Sequence, residues 1–228
     1  MKLSIIIPCY NEELTVENIV SKIKNVNLGE IEKEIIIIND GSTDNSYHII
    51  KNIRNIIFLN NKINIGKGAS IIKALNIASG KYIIVQDADL EYDPNDINKL
   101  LSEVKNKKID VVYGSRILNK NNKFSHISFY YGGKLLSLIT NLVFNSKITD
   151  QPTCYKLINT KLIKSLNLKR EGFEFCSEVT SKLLKRKVKI YEVPINYYPR
   201  TSKEGKKIKW VDGLIAVYVI LRIKFFND

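Results

Sequence analysis

The sequence predicts an α/β protein built on a doubly wound, mostly parallel sheet. Three observations carry that prediction. Short β-branched runs recur through the first half of the chain, and a helical pattern separates most of them. The runs are apolar throughout rather than alternating, as strands buried on both faces are. Of the 228 residues, 44% are hydrophobic and 26% charged, an ordinary globular balance that sets aside disordered and fibrous classes.

Taken in order, strands are predicted over residues 3–7, 34–38, 55–59, 82–86 and 110–114. Helical spacing of apolar residues covers 12–24, 43–53, 68–78 and 94–104. The last opens with Asp93-Pro94, a capping residue followed by proline at the first helical position. Strand and helix in alternation imply crossover units with helices on both faces of one sheet. The second half is more helical: 130–144, 173–184 and 208–226 carry helical spacing, and 188–198 reads as strand. Residues 201–207 are polar, basic and glycine-containing, and are expected to form a mobile loop. At about 100–200 residues per domain, one large domain, or one domain with an appendage, is expected.

Bulk properties narrow the function. No run reaches the roughly 18 apolar residues of a membrane span, and the longest, 214–221, ends at Arg222. The N-terminus lacks the features of a signal peptide. Three cysteines, Cys9, Cys154 and Cys176, are odd in number and widely spaced, which argues against a disulfide framework or a zinc site. A cytoplasmic location is therefore expected. The formal charge of +13 suits nucleic acid, an anionic membrane face or a polyphosphate ligand, and does not choose among them.

The chemistry lies where the predicted strands end. Pro8-Cys-Tyr-Asn-Glu12, Asn39-Asp-Gly-Ser-Thr-Asp44, Asp87-Ala-Asp-Leu-Glu91 and Gly114-Ser-Arg116 each follow a strand. In a parallel sheet they emerge on one rim, where open α/β sheets bind ligands. Asp87, Asp89 and Glu91 place like charges close together, which is costly without a cation. Their oxygens suit Mg²⁺ or Mn²⁺ shared with substrate phosphates, although an acidic turn in solvent has the same composition. Asp40 reads either as part of a strand-to-helix turn or as an acceptor for ribose or base. Gly66-Lys67-Gly68 is a weak phosphate-cradle signal, equally a helix entry, and lacks the spacing of a P-loop. Arg116 and Arg200 offer planar forks for a diphosphate. His48 and His126 fall in no catalytic pattern, and Cys9 has no histidine beside it in sequence to make it a nucleophile.

Together these residues resemble the inverting, nucleotide-sugar-dependent glycosyltransferases with the Rossmann-like A-type fold, closest to the dolichyl-phosphate mannosyltransferase branch. The resemblance runs through Ser4-Ile-Ile-Ile-Pro-Cys-Tyr-Asn-Glu-Glu13, Ile38-Asn-Asp-Gly-Ser-Thr-Asp44, Asn64-Ile-Gly-Lys-Gly68 and Gln86-Asp-Ala-Asp-Leu-Glu-Tyr-Asp-Pro94. It continues through Gly114-Ser-Arg116, Thr149-Asp-Gln-Pro-Thr-Cys-Tyr-Lys156, Glu192-Val-Pro-Ile-Asn-Tyr-Tyr-Pro-Arg200 and Glu204-Gly-Lys-Lys-Ile-Lys-Trp-Val-Asp-Gly213. It thus spans nearly the whole chain in order.

The resemblance implies a nucleotide-sugar-binding half at 1–118 and an acceptor-side half at 119–228 with a C-terminal amphipathic helix. It implies that Pro8, Tyr10, Glu12, Ile38 and Asp40 hold the nucleoside, with Lys67 also on the donor. Asp87, Ala88 and Asp89 would contact ribose and diphosphate, Asp89 and Glu91 the metal, and Arg116 and Arg200 the phosphates. The branch carries glutamine where Glu91 stands, so the chain departs from the pattern there. The implied donor is a GDP- or UDP-sugar and the implied acceptor a polyprenyl or dolichyl phosphate, with Lys134 and His126 as candidates to grip its phosphate. A phosphate acceptor is largely ionised at neutral pH and needs little help from a base. For a glycan hydroxyl acceptor, Asp150 is the first candidate base. The acceptor signature of processive polysaccharide synthases is absent, which favours single transfer. The helical patterns at 130–144 and 208–226, with the basic surplus, suit peripheral contact with an anionic leaflet. A sugar-phosphate nucleotidyltransferase would carry a glycine-rich basic loop where Pro8–Glu12 stands. A nucleic-acid-binding protein is the rival of another class, but no recognition motif is present and the acidic rim would repel phosphates.

Overall fold

The computed structural model describes residues 1–107, 109–124, 127–200 and 210–226. Seven strands form one sheet in the order β3-β2-β1-β4-β6-β5-β7. The first half supplies β1 (Lys2–Cys9), β2 (Glu32–Asp40), β3 (Ile57–Asn61), β4 (Tyr82–Val85) and β5 (Val111–Ser115). Between them run α1 (Val16–Asn25), α2 (Ser46–Asn52), α3 (Lys67–Ile77) and α4 (Ile97–Lys107). β1 pairs in parallel with β2 and β4, and β2 with β3, as the apolar runs predicted.

Side-chain alternation along β1 and β4 feeds two cores. Leu3, Ile5, Ile7, Tyr82 and Ile84 face one side with α1 and α4; Ile6, Ile83 and Val85 face the other with α3. Both faces are thereby covered, which is why these strands carry no polar alternation. Asp93 accepts a hydrogen bond from the Asn95 N–H and starts a 3₁₀ turn at Pro94–Asp96 that leads into α4. The predicted helix over 94–104 is therefore two pieces.

The second half comprises α5 (Ile127–Phe144), β6 (Lys156–Asn159), α6 (Thr160–Ser165), α7 (Phe175–Lys185), β7 (Tyr191–Pro194) and α8 (Trp210–Phe225). The strand expected over 188–198 is only four residues long, because β7 pairs with β5 over Tyr191 to Pro194 and the chain then turns away. β6 and α6 were not foreseen. β6 is a four-residue strand inserted antiparallel between β4 and β5. A run that short carries little periodicity to read. The two halves therefore interlock in one sheet. α8 packs on α7 and α5. Among the described residues, no helix is long and apolar enough to cross a membrane. The loop expected over 201–207 lies outside the described residues.

Candidate active site

A cavity of about 840 Å³ opens beyond the carboxyl ends of β1, β2, β4 and β5. That volume is within the range of small-molecule sites. Pro8, Tyr10, Glu12, Asp40, Lys67, Asp87, Ala88, Asp89, Glu91, Arg116, Asp150 and Arg200 all line it. The topology thus gathers on one rim residues drawn from seven segments of sequence. Ile38 is the exception among the expected site residues. It is fully buried in β2, beside Pro8 and Leu59, and does not line the cavity.

The acidic turn after β4 is the centre of the site. Leu90 adopts a left-handed conformation at φ 64°, which a non-glycine residue rarely takes and which marks a turn held by its surroundings. Asp89 Oδ1 accepts from the Glu91 N–H at 3.0 Å, while its carbonyl accepts from Arg200 Nε at 2.8 Å. Glu91 is buried, and both its carboxylate oxygens accept hydrogen bonds, from Tyr197 Oη at 2.9 Å and the Arg200 N–H at 2.8 Å. Glu91 therefore anchors the 197–200 segment through both of its oxygens. Burial, and then the Glu91 charge, raise the Tyr197 phenol, so it remains the donor in that bond. Arg200 Nη2 reaches Glu12 Oε2 at 2.6 Å and ties the β1 rim to the acidic turn.

Arg116 is held as firmly. Its Nε and Nη2 donate to the two oxygens of Asp150, each at 2.8 Å, and its backbone N–H donates to Oδ2. The guanidinium lies 5.1 Å from the Tyr197 ring centre and 5.9 Å from that of Tyr92. Burial opposes the Arg116 charge, but Asp150 outweighs burial and raises its pKa further. Glu192 in turn accepts the Thr149 and Asp150 N–H groups at 2.8 and 3.1 Å. Asp150 is buried and engaged on both oxygens, which fixes the orientation of the Arg116 guanidinium.

Asp40 and Lys67 also resolve into specific partners. The Asp40 carboxylate accepts from Asn61 Nδ2 and from the Ile65 and Gly66 N–H groups, each at 3.0 Å. It clamps the loop before α3, a contact the turn reading did not include, while Gly41 takes the positive φ (68°) that reading expected. The glycines flanking Lys67 serve close packing: a Cβ on Gly68 would lie 2.2 Å from the Arg170 carbonyl oxygen. The Ala69 N–H donates to Glu171 O, so this is a helix entry rather than an open phosphate cradle. Lys67 Nζ pairs with Asp87 at 2.5 Å. Burial would lower the Lys67 pKa, and Asp87 more than reverses that. His126 lies outside the described residues, and Lys134 donates to Tyr130 Oη at 3.1 Å on the same face of α5.

Sequence reading missed Tyr92 and Tyr197 as the aromatic walls beside Arg116, and Glu192 behind Asp150. It also missed that Cys154 and Cys176 meet, their Sγ atoms 3.9 Å apart. No spacing rule signals contacts between such separated residues.

The donor set fits a divalent cation that takes much of its shell from a ligand. Among the described residues, no three His, Cys, Asp or Glu side chains converge into a closed cage. Yet seven carboxylates line the cavity against three basic side chains, Lys67, Arg116 and Arg200. A diphosphate entering so acidic a site calls for a cation, and Asp89 is the partly exposed carboxylate of the central turn.

A mostly parallel sheet, with an acidic turn at the end of a buried strand and arginines set around it, defines a glycosyltransferase of the A-type fold. The chain belongs to glycosyl transferase family 2, whose model matches residues 4–166. It is 32% identical to the UDP-N-acetylglucosamine–dolichyl-phosphate N-acetylglucosaminyltransferase of Methanococcus voltae, over 96% of this chain and 95% of that protein. It is 30% identical to a dolichol-phosphate mannosyltransferase of Pyrococcus furiosus, over 90% of this chain and 59% of that one. Glucosyl-3-phosphoglycerate synthase from Mycobacterium tuberculosis, solved with Mn²⁺, UDP and phosphoglyceric acid, superposes with a TM-score of 0.74 at 16% identity. The match covers all of this chain and 80% of that one, and shows the shared fold.

Proposed function

We propose that the protein transfers a sugar from a UDP- or GDP-sugar to a polyprenyl or dolichyl phosphate, with inversion and with Mg²⁺ or Mn²⁺. The observation that carries this reading is the position of the acidic cavity against an apolar face. Leu135 and Leu136 of α5 and Trp210 and Leu214 of α8 line the same cavity as Asp89. Beyond its mouth the two helices continue outward with Tyr131, Leu138, Leu142 and Tyr218 more than half exposed. A soluble acceptor has no use for such a face, whereas a lipid-linked one needs it. The sugars named for the relatives differ, so the reading leaves the hexose or N-acetylhexosamine open.

In this mechanism Pro8, Tyr10 and Ala88 would border the nucleoside, and Asp89, with Asp87 nearby, would hold a divalent cation. The cation, when bound, offsets the charge that grows on the leaving diphosphate. Arg200 and Arg116 flank the same oxygens as preorganised donors, each fixed by its carboxylate partner. An acceptor phosphate already ionised near neutral pH, with a second pKa of about 6, attacks without a dedicated base. That agrees with Asp150 being committed to Arg116.

The test incubates the protein with Mg²⁺ or Mn²⁺, a panel of UDP- and GDP-sugars and a polyprenyl phosphate, and follows the lipid by mass spectrometry. A glycosyl-phosphoryl lipid is expected with one donor, lost with EDTA and reduced about 10³-fold or more in Asp89→Asn. Release of nucleoside diphosphate without a lipid product, or transfer only to a glycan hydroxyl, overturns the acceptor assignment.

A further inference from the structure

Cys154, just before β6, and Cys176, in the first turn of α7, stand 22 residues apart in sequence with their sulfurs 3.9 Å apart. The mechanism above uses neither. Both line the large cavity, so a small solute entering it reaches them. Both also border a separate void of about 10 Å³ between the sheet and α7, enough for about one water molecule and for a sulfur to shift.

The charges around the pair differentiate its members. Lys67 Nζ donates to Cys154 Sγ at 3.2 Å. Lys156 is buried with its Nζ on the Gln151 and Thr153 carbonyls rather than on a carboxylate. The hydrogen bond from Cys154, then the Lys156 and Lys67 ammonium groups, hold the Cys176 thiol below its ordinary value against burial and Asp87. Its partner moves the opposite way, raised by the same hydrogen bond and by burial. One sulfur is thus a ready nucleophile and the other a protonated neighbour, the asymmetry that disulfide formation requires.

We propose that Cys154 and Cys176 are an oxidisable thiol pair at the floor of the cavity, closed to a disulfide by hydroperoxides. The Cys176 thiolate attacks the peroxide oxygen, the O–O bond breaks, hydroxide leaves, and Cys176 becomes a sulfenic acid. Cys154 sulfur then attacks Cys176 sulfur; the S–O bond breaks, and the thiol proton departs with the hydroxyl as water. Overall, two thiols and one hydrogen peroxide yield one disulfide and two waters. The bond ties the segment that presents Asp150 to α7 and draws the Cys154 sulfur away from Lys67.

The full reduced chain is treated with hydrogen peroxide, alkylated, and read by intact mass and peptide mapping, natively and in urea. The expected product is lighter by two hydrogen atoms, carries a 154–176 linked peptide, and reverts with dithiothreitol. Cys9→Ser retains it; Cys154→Ser loses it and lets Cys176 advance to the sulfinic acid. Linkage no faster in the folded chain than in urea, oxidation confined to Cys9, or bonds only between chains overturns the proposal. The wild-type arm decides the matter even if a variant does not fold.

Discussion

Asp150 shows how far a residue's role depends on its partners. As one acidic residue in a polar segment it reads as a candidate base, yet three donors of Arg116 occupy its two oxygens. Replacing it with asparagine leaves one oxygen to accept and strands a buried guanidinium. Breaking such a pair costs about 3 kcal/mol or more. Asp150→Asn is expected to lower the urea midpoint accordingly and to cut kcat by about 10²-fold through loss of Arg116 orientation. If kcat instead vanishes while stability and nucleotide affinity stay at wild-type values, Asp150 is acting as a base. Arg200 follows the same logic, since its fork is fixed by Glu12, 188 residues earlier.

At the scale of elements, α5 and α8 are the informative pair. Both are apolar around most of their circumference, as a buried helix is, so α8 lacks the polar face of the amphipathic helix expected there. In the fold, however, α5 leaves Ile127, Tyr131, Leu135, Leu138 and Leu142 exposed, and α8 leaves Trp210, Leu214, Tyr218 and Phe225. These recur at helical spacing, so they form stripes. Lys224 and Arg222 stand at the end of α8, where the proposed contact with a bilayer would bring anionic headgroups. Leu138 and Leu142 do not line the cavity, so substitutions there test the proposed membrane contact apart from the proposed donor site. Leu138→Ser and Leu142→Ser are each expected to weaken binding to anionic vesicles about tenfold, with UDP or GDP affinity unchanged. Vesicle binding that survives both substitutions removes these stripes as the contact.

For the molecule as a whole, the sheet is pinned at its amino-terminal edge by Glu34. Its carboxylate accepts from Ser4 Oγ at 2.5 Å, from the Ser79 N–H at 2.9 Å and from Ser79 Oγ, with Lys2 nearby. β1, β2 and the segment before β4 are joined there. Burial alone would raise the Glu34 pKa; the hydrogen bonds from Ser4 and Ser79 and the charge of Lys2 outweigh it and hold the carboxyl below its usual range. A depressed carboxyl stabilises the fold above the unfolded pKa of about 4.3, and that contribution is lost as pH falls through the lower folded value. The urea midpoint is therefore expected to drop between about pH 5 and pH 3, and to drop less in Glu34→Gln. Equal acid sensitivity in the two proteins would assign the loss to other carboxylates.

The sequence by itself determined the class of fold, the five strands of the first half and the rim on which polar residues gather. It did so because continuous apolar runs, helical periodicity and Asp93-Pro94 each report conformation within a few residues. Of the residues expected to meet the donor, all but Ile38 line the cavity on that rim, and Ile38 is buried in β2. Only the tertiary structure decided how those residues pair. Glu91 turns to Tyr197 and Arg200, Asp150 to Arg116, Asp40 to the loop before α3, and Cys154 meets Cys176. β6 slips antiparallel between β4 and β5, although nothing local distinguishes its four residues. The physical reason is common to all of these. Periodicity encodes which way a side chain faces, whereas the partner it finds depends on where a distant part of the chain returns. In a buried site, that partner decides whether a carboxylate binds a cation, moves a proton or holds an arginine in place.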